Sequence, residues 1–127
     1  FVRDVAKAWA FADESEIPLD LISNFDPSAN TDILVDTTPL GMSGSFEQET
    51  LFTADQLKGV KFVYDLATKP YDTPIIREAK EAGIPAIGGL EMLVAQGAKQ
   101  FEIWTGKTAP IEKMKELVLA RFGELNK

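Results

Sequence analysis

The chain has 127 residues, 45% of them hydrophobic, a formal net charge of −7, and neither Cys nor His. This size and composition fit one folded domain and exclude a disordered segment, while Lys and Arg scattered on an acidic background exclude a nucleic-acid partner, because phosphate contacts need clustered cations. Without Cys there is no disulfide, thiol nucleophile or Cys-ligated metal, and without His the common proton shuttle near neutral pH is missing, so no metal site is expected and any acid–base chemistry falls to Asp, Glu, Lys or Tyr.

Phe1–Arg3 reads as the end of a strand, an abrupt beginning that suggests a chain cut from a longer one. Asp4 can then N-cap a short helix with Val5, Ala8, Trp9 and Ala12 on one face. Pro18–Ile22 predicts a short strand, the stretch from Asn24 to Asn30 a turn, and Thr31–Asp36, with Ile33-Leu34-Val35 inside it, a buried strand. Thr37–Ser45 is a loop punctuated by Pro39, Gly41 and Gly44, and Phe52–Leu57 a short helix. Val60–Leu66, rich in Val, Phe and Tyr, is the clearest strand. Thr73 caps a helix that has Pro74 at its first position and Gly83 beyond its end. Pro85–Ile87 is another short strand, and Gly88-Gly89 leads into a helix from about Leu90 to Trp104. A last helix starts at Thr108 to Pro110 and runs to about Phe122, with Gly123 as its stop.

Short apolar strands alternating with helices predict an α/β fold, a mostly parallel sheet with helices on both faces. No apolar run is long enough for a membrane span, nothing reads as a targeting leader, and the absence of Cys fits a cytoplasmic protein. In such open sheets ligands sit beyond the carboxyl ends of the strands, which singles out four segments.

At the first, Arg3 and Lys7 favour a 2′-phosphate and so NADP, whereas Asp4 favours the free 2′-hydroxyl of NAD unless its carboxylate is engaged in capping. The same residues also fit a plain solvated helix start. At the second, Thr37-Thr38-Pro39-Leu40-Gly41-Met42 offers two hydroxyls, a rigid Pro and a permissive Gly, suited to a shaped loop near a ligand or to a tight turn alone. At the third, Thr68 in Leu66-Ala67-Thr68-Lys69-Pro70 could bond a hydroxylated substrate or merely face solvent. Asp65, inside the apolar strand, is expected to accept backbone hydrogen bonds and pin a neighbouring loop. In the fourth, Leu90, Leu93, Val94, Gly97, Phe101 and Trp104 form one apolar helix face. Glu91, Lys99 and Glu102 mark its wet side. Gln96, beside Met92 and Ile103 on a second flank, faces a cleft or is a surface glutamine. In the last helix Ile111, Met114, Val118, Phe122 and Leu125 form a stripe that needs a partner.

Taken together, these segments resemble one family. Residues 32–42, ending Thr37-Thr38-Pro39-Leu40-Gly41-Met42, are similar to a strand followed by an N-[AT]-T-P-L-G-M loop. Val63-Tyr64-Asp65-Leu66 with Thr73-Pro74 and Glu78-Ala79-Lys80 is similar to V-Y-D-x-x-Y-x-P…T-P…E-A. Residues 89–98 and 101–106 are similar to G-L-x-M-L-V-x-Q-x-A…F-x-x-W-T-G. This is the shikimate/quinate dehydrogenase family, and the resemblance runs over essentially the whole chain.

The resemblance implies a partial, Rossmann-like, doubly wound NAD(P)-binding domain over residues 1–127, lacking the first strand and the glycine-rich phosphate loop. It implies reduction of 3-dehydroshikimate to shikimate with NADPH, in the chorismate and aromatic amino acid pathway, by a two-domain protein. That protein's N-terminal domain would bind most of the substrate and carry a catalytic Lys–Asp pair, so no catalytic residue is expected here and the isolated chain is expected to be inactive. Helix 109–123 would pack toward that domain. By position, Val2, Arg3, Asp4 and Lys7 match the segment at the adenosine phosphate, with Val2 and Asp4 departing from the family's residues. Thr37 and Thr38 join them as cofactor-binding positions, Leu66 and Gly89 match positions lining the nicotinamide, and Gln96 matches a substrate-binding Gln. Thr68 stands in place of a substrate-contacting Tyr, and Asp36 in place of the usual Asn. The alternatives are a quinate-using or NAD-preferring relative, and a non-catalytic folded unit.

Overall fold

The computed structural model describes residue 2, residues 4–15 and residues 20–125. Val2 forms an isolated parallel bridge with Leu21 and leads into α1 (Val5–Ser15). Three strands follow, β1 (Ile33–Asp36), β2 (Phe62–Asp65) and β3 (Ala86–Ile87), with α2 (Pro74–Glu81) between the last two. Then come α3 (Gly89–Thr105) and α4 (Ile111–Leu125). The strands lie in the order β1-β2-β3, both pairs parallel, as an alternation of short apolar runs and helices requires.

The register puts Leu34 beside Val63 and Asp36 beside Asp65. With side chains alternating along a strand, these four share the face that α2 covers with Ile75, Ile76 and Ala79, and Phe52, Leu57, Val60 and Ile84 complete the core. Phe25 meets Phe52 edge to face at 5.7 Å between ring centres. Each fully buried Leu, Ile or Val here contributes about 1.5–3 kcal/mol. The opposite face is apolar but open, with Ile33 62% and Val35 50% exposed.

Several expectations are corrected. Of the strand expected at Pro18–Ile22, residues 18 and 19 lie outside the described residues. Leu21 makes only the bridge, and Ile22–Asn24 is a 3-10 turn held by the Asp20 carboxylate, which accepts from Leu21 N–H and Asn24 Nδ2, both at 2.7 Å. The helix expected at Phe52–Leu57 is a single turn. Thr53 and Gln56 bond as if to begin one, but Gly59 at φ +102° ends it. Trp9 is exposed rather than packed with Ala12, and Leu93 and Trp104 are likewise exposed. Leu90, Val94 and Ala98 form the buried stripe of α3 instead. Glu91 and Glu102 are half-buried, not fully wet, because Glu102 accepts from Ala109 N–H at the turn into α4. Helix α4 continues through Gly123 to Leu125, since a mid-helix glycine costs only about 1 kcal/mol. The stop that matters lies earlier, where Gly106 closes α3 in the left-handed conformation.

Candidate functional site

Because the strands are parallel, the loops that follow them emerge at one end of the sheet, and two buried carboxylates organise that end. Asp65 is fully buried. It accepts from Ala67 N–H at 2.9 Å through Oδ1 and from the Thr73 hydroxyl through Oδ2, so it ties the loop after β2 to the start of α2. Thr73 does occupy the N-cap position of α2, but it makes no capping bond: its hydroxyl has gone to Asp65. Asp36, 1% exposed, accepts from Thr38 N–H at 2.8 Å through Oδ1, and its buried Oδ2 has no hydrogen-bond partner among the described residues. Burial pushes this carboxyl above the ordinary range, the Thr38 hydrogen bonds oppose the rise, and the neighbouring Asp65 adds to it.

The two strand-end loops are fastened to each other and to α3. Leu66 N–H donates to the Asp36 carbonyl at 2.9 Å, Ser43 N–H to the Lys69 carbonyl at 2.9 Å, and Gly89 N–H to the Ala67 carbonyl at 3.1 Å. Glycine is needed at two of these joints. Gly41 has φ +78°, and a Cβ there would lie 2.9 Å from Pro74 Cδ. A Cβ on Gly89 would lie 2.2 Å from the Leu66 carbonyl oxygen. The Lys69–Pro70 bond is cis. Tyr71 donates from its hydroxyl to Glu91 Oε1 at 3.1 Å, and partial burial, then the Glu91 charge, push the phenol above its usual range. A cavity of about 270 Å³ runs along the outer edge of β1, lined by Ile22, Phe25, Leu34, Asp36, Thr37 and Thr38 among others.

Thr37, Thr38, Leu66 and Gly89 are thus brought together at the carboxyl ends of β1 and β2. Thr37 is exposed; Thr38 is half-buried and accepts from Leu40 N–H through its hydroxyl. Thr68 is half-buried in the next loop, and Gln96 is exposed on α3. Val2 sits in its bridge; Arg3 lies outside the described residues. Asp4 caps α1: its Oδ1 accepts from Lys7 N–H at 3.2 Å, and its other oxygen is 3.6 Å from Lys7 Nζ. Among the described residues no cluster of three or more acidic, His or Cys side chains could hold a metal ion, and no helix is long and apolar enough to cross a membrane. The Tyr71–Glu91 bond had no local signal, since its partners are 20 residues apart.

A parallel sheet flanked by helices, with its shaped loops gathered at the strands' carboxyl ends, defines a Rossmann-like α/β domain. The family model of the shikimate 5′-dehydrogenase C-terminal domain matches residues 89–119. A shikimate dehydrogenase (NADP+) of Methanocella arvoryzae is 47% identical over 83 residues, 65% of this chain and 30% of the relative. The Bacillus cereus enzyme is 39% identical over 112 residues, 88% of this chain and 40% of its own length. A crystallised shikimate dehydrogenase in complex with NADP+ superposes with a TM-score of 0.79 at 32% identity, covering 94% of this chain and 45% of that one. The chain belongs to the shikimate dehydrogenase family, as its C-terminal domain. It spans less than half the length of these relatives.

Proposed function

We propose that this chain is the cofactor domain of an NADP-dependent shikimate dehydrogenase, an oxidoreductase that interconverts 3-dehydroshikimate and shikimate. The carrying observation is the convergence of Thr37, Thr38, Leu66 and Gly89 on one end of a parallel sheet, the place where this fold class takes a dinucleotide. The bound nicotinamide would supply the hydride. The chain's own residues bind and orient: Thr37 and Thr38 offer hydroxyls beside the cavity, and Leu66 and Gly89 wall the nicotinamide. Thr68 and Gln96 face the substrate, and a Lys–Asp pair on a separate substrate domain handles the proton. The chain alone therefore turns nothing over. The apolar side chains that α3 and α4 leave exposed, Ile103, Trp104, Ile111 and Leu117, support packing of the last helix toward that substrate domain. Its Met114 side already faces α3 at Gly97. The setting of such an enzyme is cytoplasmic.

The geometry at Asp4 supports NADP over NAD. A carboxylate that binds a ribose 2′-hydroxyl must be free to do so, and this one is engaged by the α1 cap. Lys7, with its side chain 85% exposed, holds Asp4 only through a loose surface pair of the kind that contributes about 0–1 kcal/mol, and stays available to a 2′-phosphate; the family resemblance alone adds Arg3 to it. Titrating NADP and NAD into the two-domain enzyme tests this. An Arg3→Asp variant is expected to lose roughly tenfold to a hundredfold in NADP affinity, the equivalent of about 1.5–3 kcal/mol for a hydrogen bond to a charged group, with NAD affinity unchanged. Equal losses for both cofactors would contradict the role. For the substrate, Gln96→Ala is expected to raise KM for shikimate by about tenfold, from one lost hydrogen bond, without altering thermal stability, because Gln96 is exposed. An unchanged KM would remove Gln96 from the site.

A further inference from the structure

The loop after β2 is tied to α3 twice, once on either side of Thr68. On the near side Gly89 N–H donates to the Ala67 carbonyl at 3.1 Å. On the far side the Tyr71 hydroxyl donates to Glu91 Oε1 at 3.1 Å. Both ties end in the first turn of the helix, so residues 68–70 arch over that turn with an anchor at each end. Ser43 N–H holds the middle of the arch through the Lys69 carbonyl, at 2.9 Å. The following residue, Asp72, is held by α2 instead: its carbonyl accepts from the Arg77 guanidinium and its carboxylate from Lys80 Nζ.

The main-chain tie alone leaves one motion open. Gln96 stands seven residues beyond Gly89, which returns it to within about 20° of the same side of the helix. Glu91, two residues beyond Gly89, lies about 160° round the axis from it. A helix fixed at Gly89 only can roll about that point, and a roll shifts Gln96 relative to Thr68. The bond at Glu91, well away from that side, opposes the roll. The second Glu91 oxygen, Oε2, is buried and has no hydrogen-bond partner among the described residues. A Cβ on Gly88 would lie 3.6 Å from the Tyr71 carbonyl oxygen and 3.9 Å from Glu91 Oε2, so loop and carboxylate close round the helix start. A carboxylate taken partly out of water needs a donor, and the Tyr71 hydroxyl supplies one. Neither element depends on this bond to fold. The helix is packed through Leu90, Val94 and Ala98, the loop is pinned by Asp65 at Ala67 and Thr73, and Tyr71 is 42% exposed.

We propose that Tyr71 and Glu91 are positioning residues for the substrate: their hydrogen bond fixes the loop that carries Thr68 against the helix that carries Gln96, so that both side chains engage one substrate molecule. This rests on the reading above that places Thr68 and Gln96 at the substrate. The cofactor side is spared, because Leu66 and Gly89 are held by main-chain bonds that neither side chain makes.

The test is steady-state kinetics of the proposed two-domain enzyme and its Tyr71→Phe, Glu91→Ala, Glu91→Gln and Tyr71→Phe/Glu91→Ala variants. Tyr71→Phe and Glu91→Ala are each expected to raise KM for shikimate by about three- to tenfold, the order of one net hydrogen bond. The Kd for NADP and the thermal midpoint are expected to stay at their wild-type values. The double variant is expected to be no worse than either single one, as for two partners of one bond. Glu91→Gln, whose amide oxygen still accepts from Tyr71, is expected to keep KM near wild type. A wild-type KM in Tyr71→Phe, losses that add in the double variant, or NADP affinity and thermal midpoint falling in step with the rise in KM overturns the positioning role and leaves the dehydrogenase reading standing. Failure of the wild-type enzyme to turn over shikimate overturns that reading and the proposal with it.

Discussion

An alanine at position 89 destabilises the protein and loosens α3 from the sheet, although helix preference alone points the other way. Gly89 is the first residue of α3, and exchanging glycine for alanine inside a helix ordinarily gains about 1 kcal/mol. Here the new Cβ would lie 2.2 Å from the Leu66 carbonyl oxygen, 2.6 Å from its carbon and 2.8 Å from the Ala67 oxygen. These are backbone atoms, so no change of rotamer relieves the overlap. Helix α3 must withdraw, and the Gly89 N–H bond to the Ala67 carbonyl, now 3.1 Å, is lost with it. Overpacking costs about 1–3 kcal/mol in a well-packed interior, and an overlap with fixed backbone belongs at the upper end. Urea unfolding of Gly89→Ala is expected to show a net loss of about 2 kcal/mol, with weaker NADP binding in the two-domain enzyme. A variant as stable as wild type would mean that α3 approaches β2 less closely than the structure shows.

The second large effect is expected at Thr73. Valine is nearly isosteric with threonine, so Thr73→Val keeps the packing and removes one hydroxyl. That hydroxyl is the donor to Asp65 Oδ2, and Asp65 is fully buried, so the lost bond leaves a buried carboxylate oxygen without a donor. Hydrogen bonds to charged groups contribute about 1.5–3 kcal/mol, a large share of the roughly 5–15 kcal/mol that holds an ordinary domain together. Denaturation curves are expected to show a loss in that range for Thr73→Val and much less for Thr73→Ser, which retains the hydroxyl. Equal stability of all three proteins would show that Asp65 has another donor.

Acid behaviour near Asp36 has an opposite sign to the usual carboxylate. Its folded-state pKa lies above the unfolded value of 3.8, so the folded chain holds this proton more tightly than the unfolded one. The contribution is favourable at low pH and is lost as pH rises from the unfolded value through the folded one. Stability profiles of wild type and Asp36→Asn are therefore expected to diverge as pH rises, with the variant gaining relative to wild type. Parallel profiles would contradict the raised pKa.

The parts of the fold that were legible in the sequence are those specified by local patterns. Ile33-Leu34-Val35, the Val60–Leu66 run, Thr73-Pro74 before α2 and Gly88-Gly89 before α3 each combine an apolar period with a start or stop residue, and each forms its element. Failures came where tertiary contacts or a nearby glycine overrode the pattern. Asp20 folded Ile22 into a turn, Gly59 cut short the turn begun at Thr53, and Trp104 stayed outside the α3 packing stripe that Leu90, Val94 and Ala98 define.

The site divides the same way. The strand-end loops, the capping role of Asp4 and the loop-pinning role of Asp65 follow from residue type and local position. The pairing of Asp36 with Asp65 does not, because it depends on the register that sets the two side by side, and strand register between distant segments has no local signal. The Tyr71–Glu91 contact is of the same kind: two ordinary surface residues in sequence, joined only when the loop after β2 meets the first turn of α3.

The most direct test of the proposed function is the initial rate of NADP reduction by the proposed two-domain enzyme, with shikimate as substrate and with NAD and quinate in parallel. The account expects turnover with NADP and shikimate to exceed every other pairing, and none from residues 1–127 alone. Turnover that requires quinate or NAD would contradict the substrate or cofactor assigned here, and no turnover with any pairing would contradict the assignment of this chain to a working dehydrogenase.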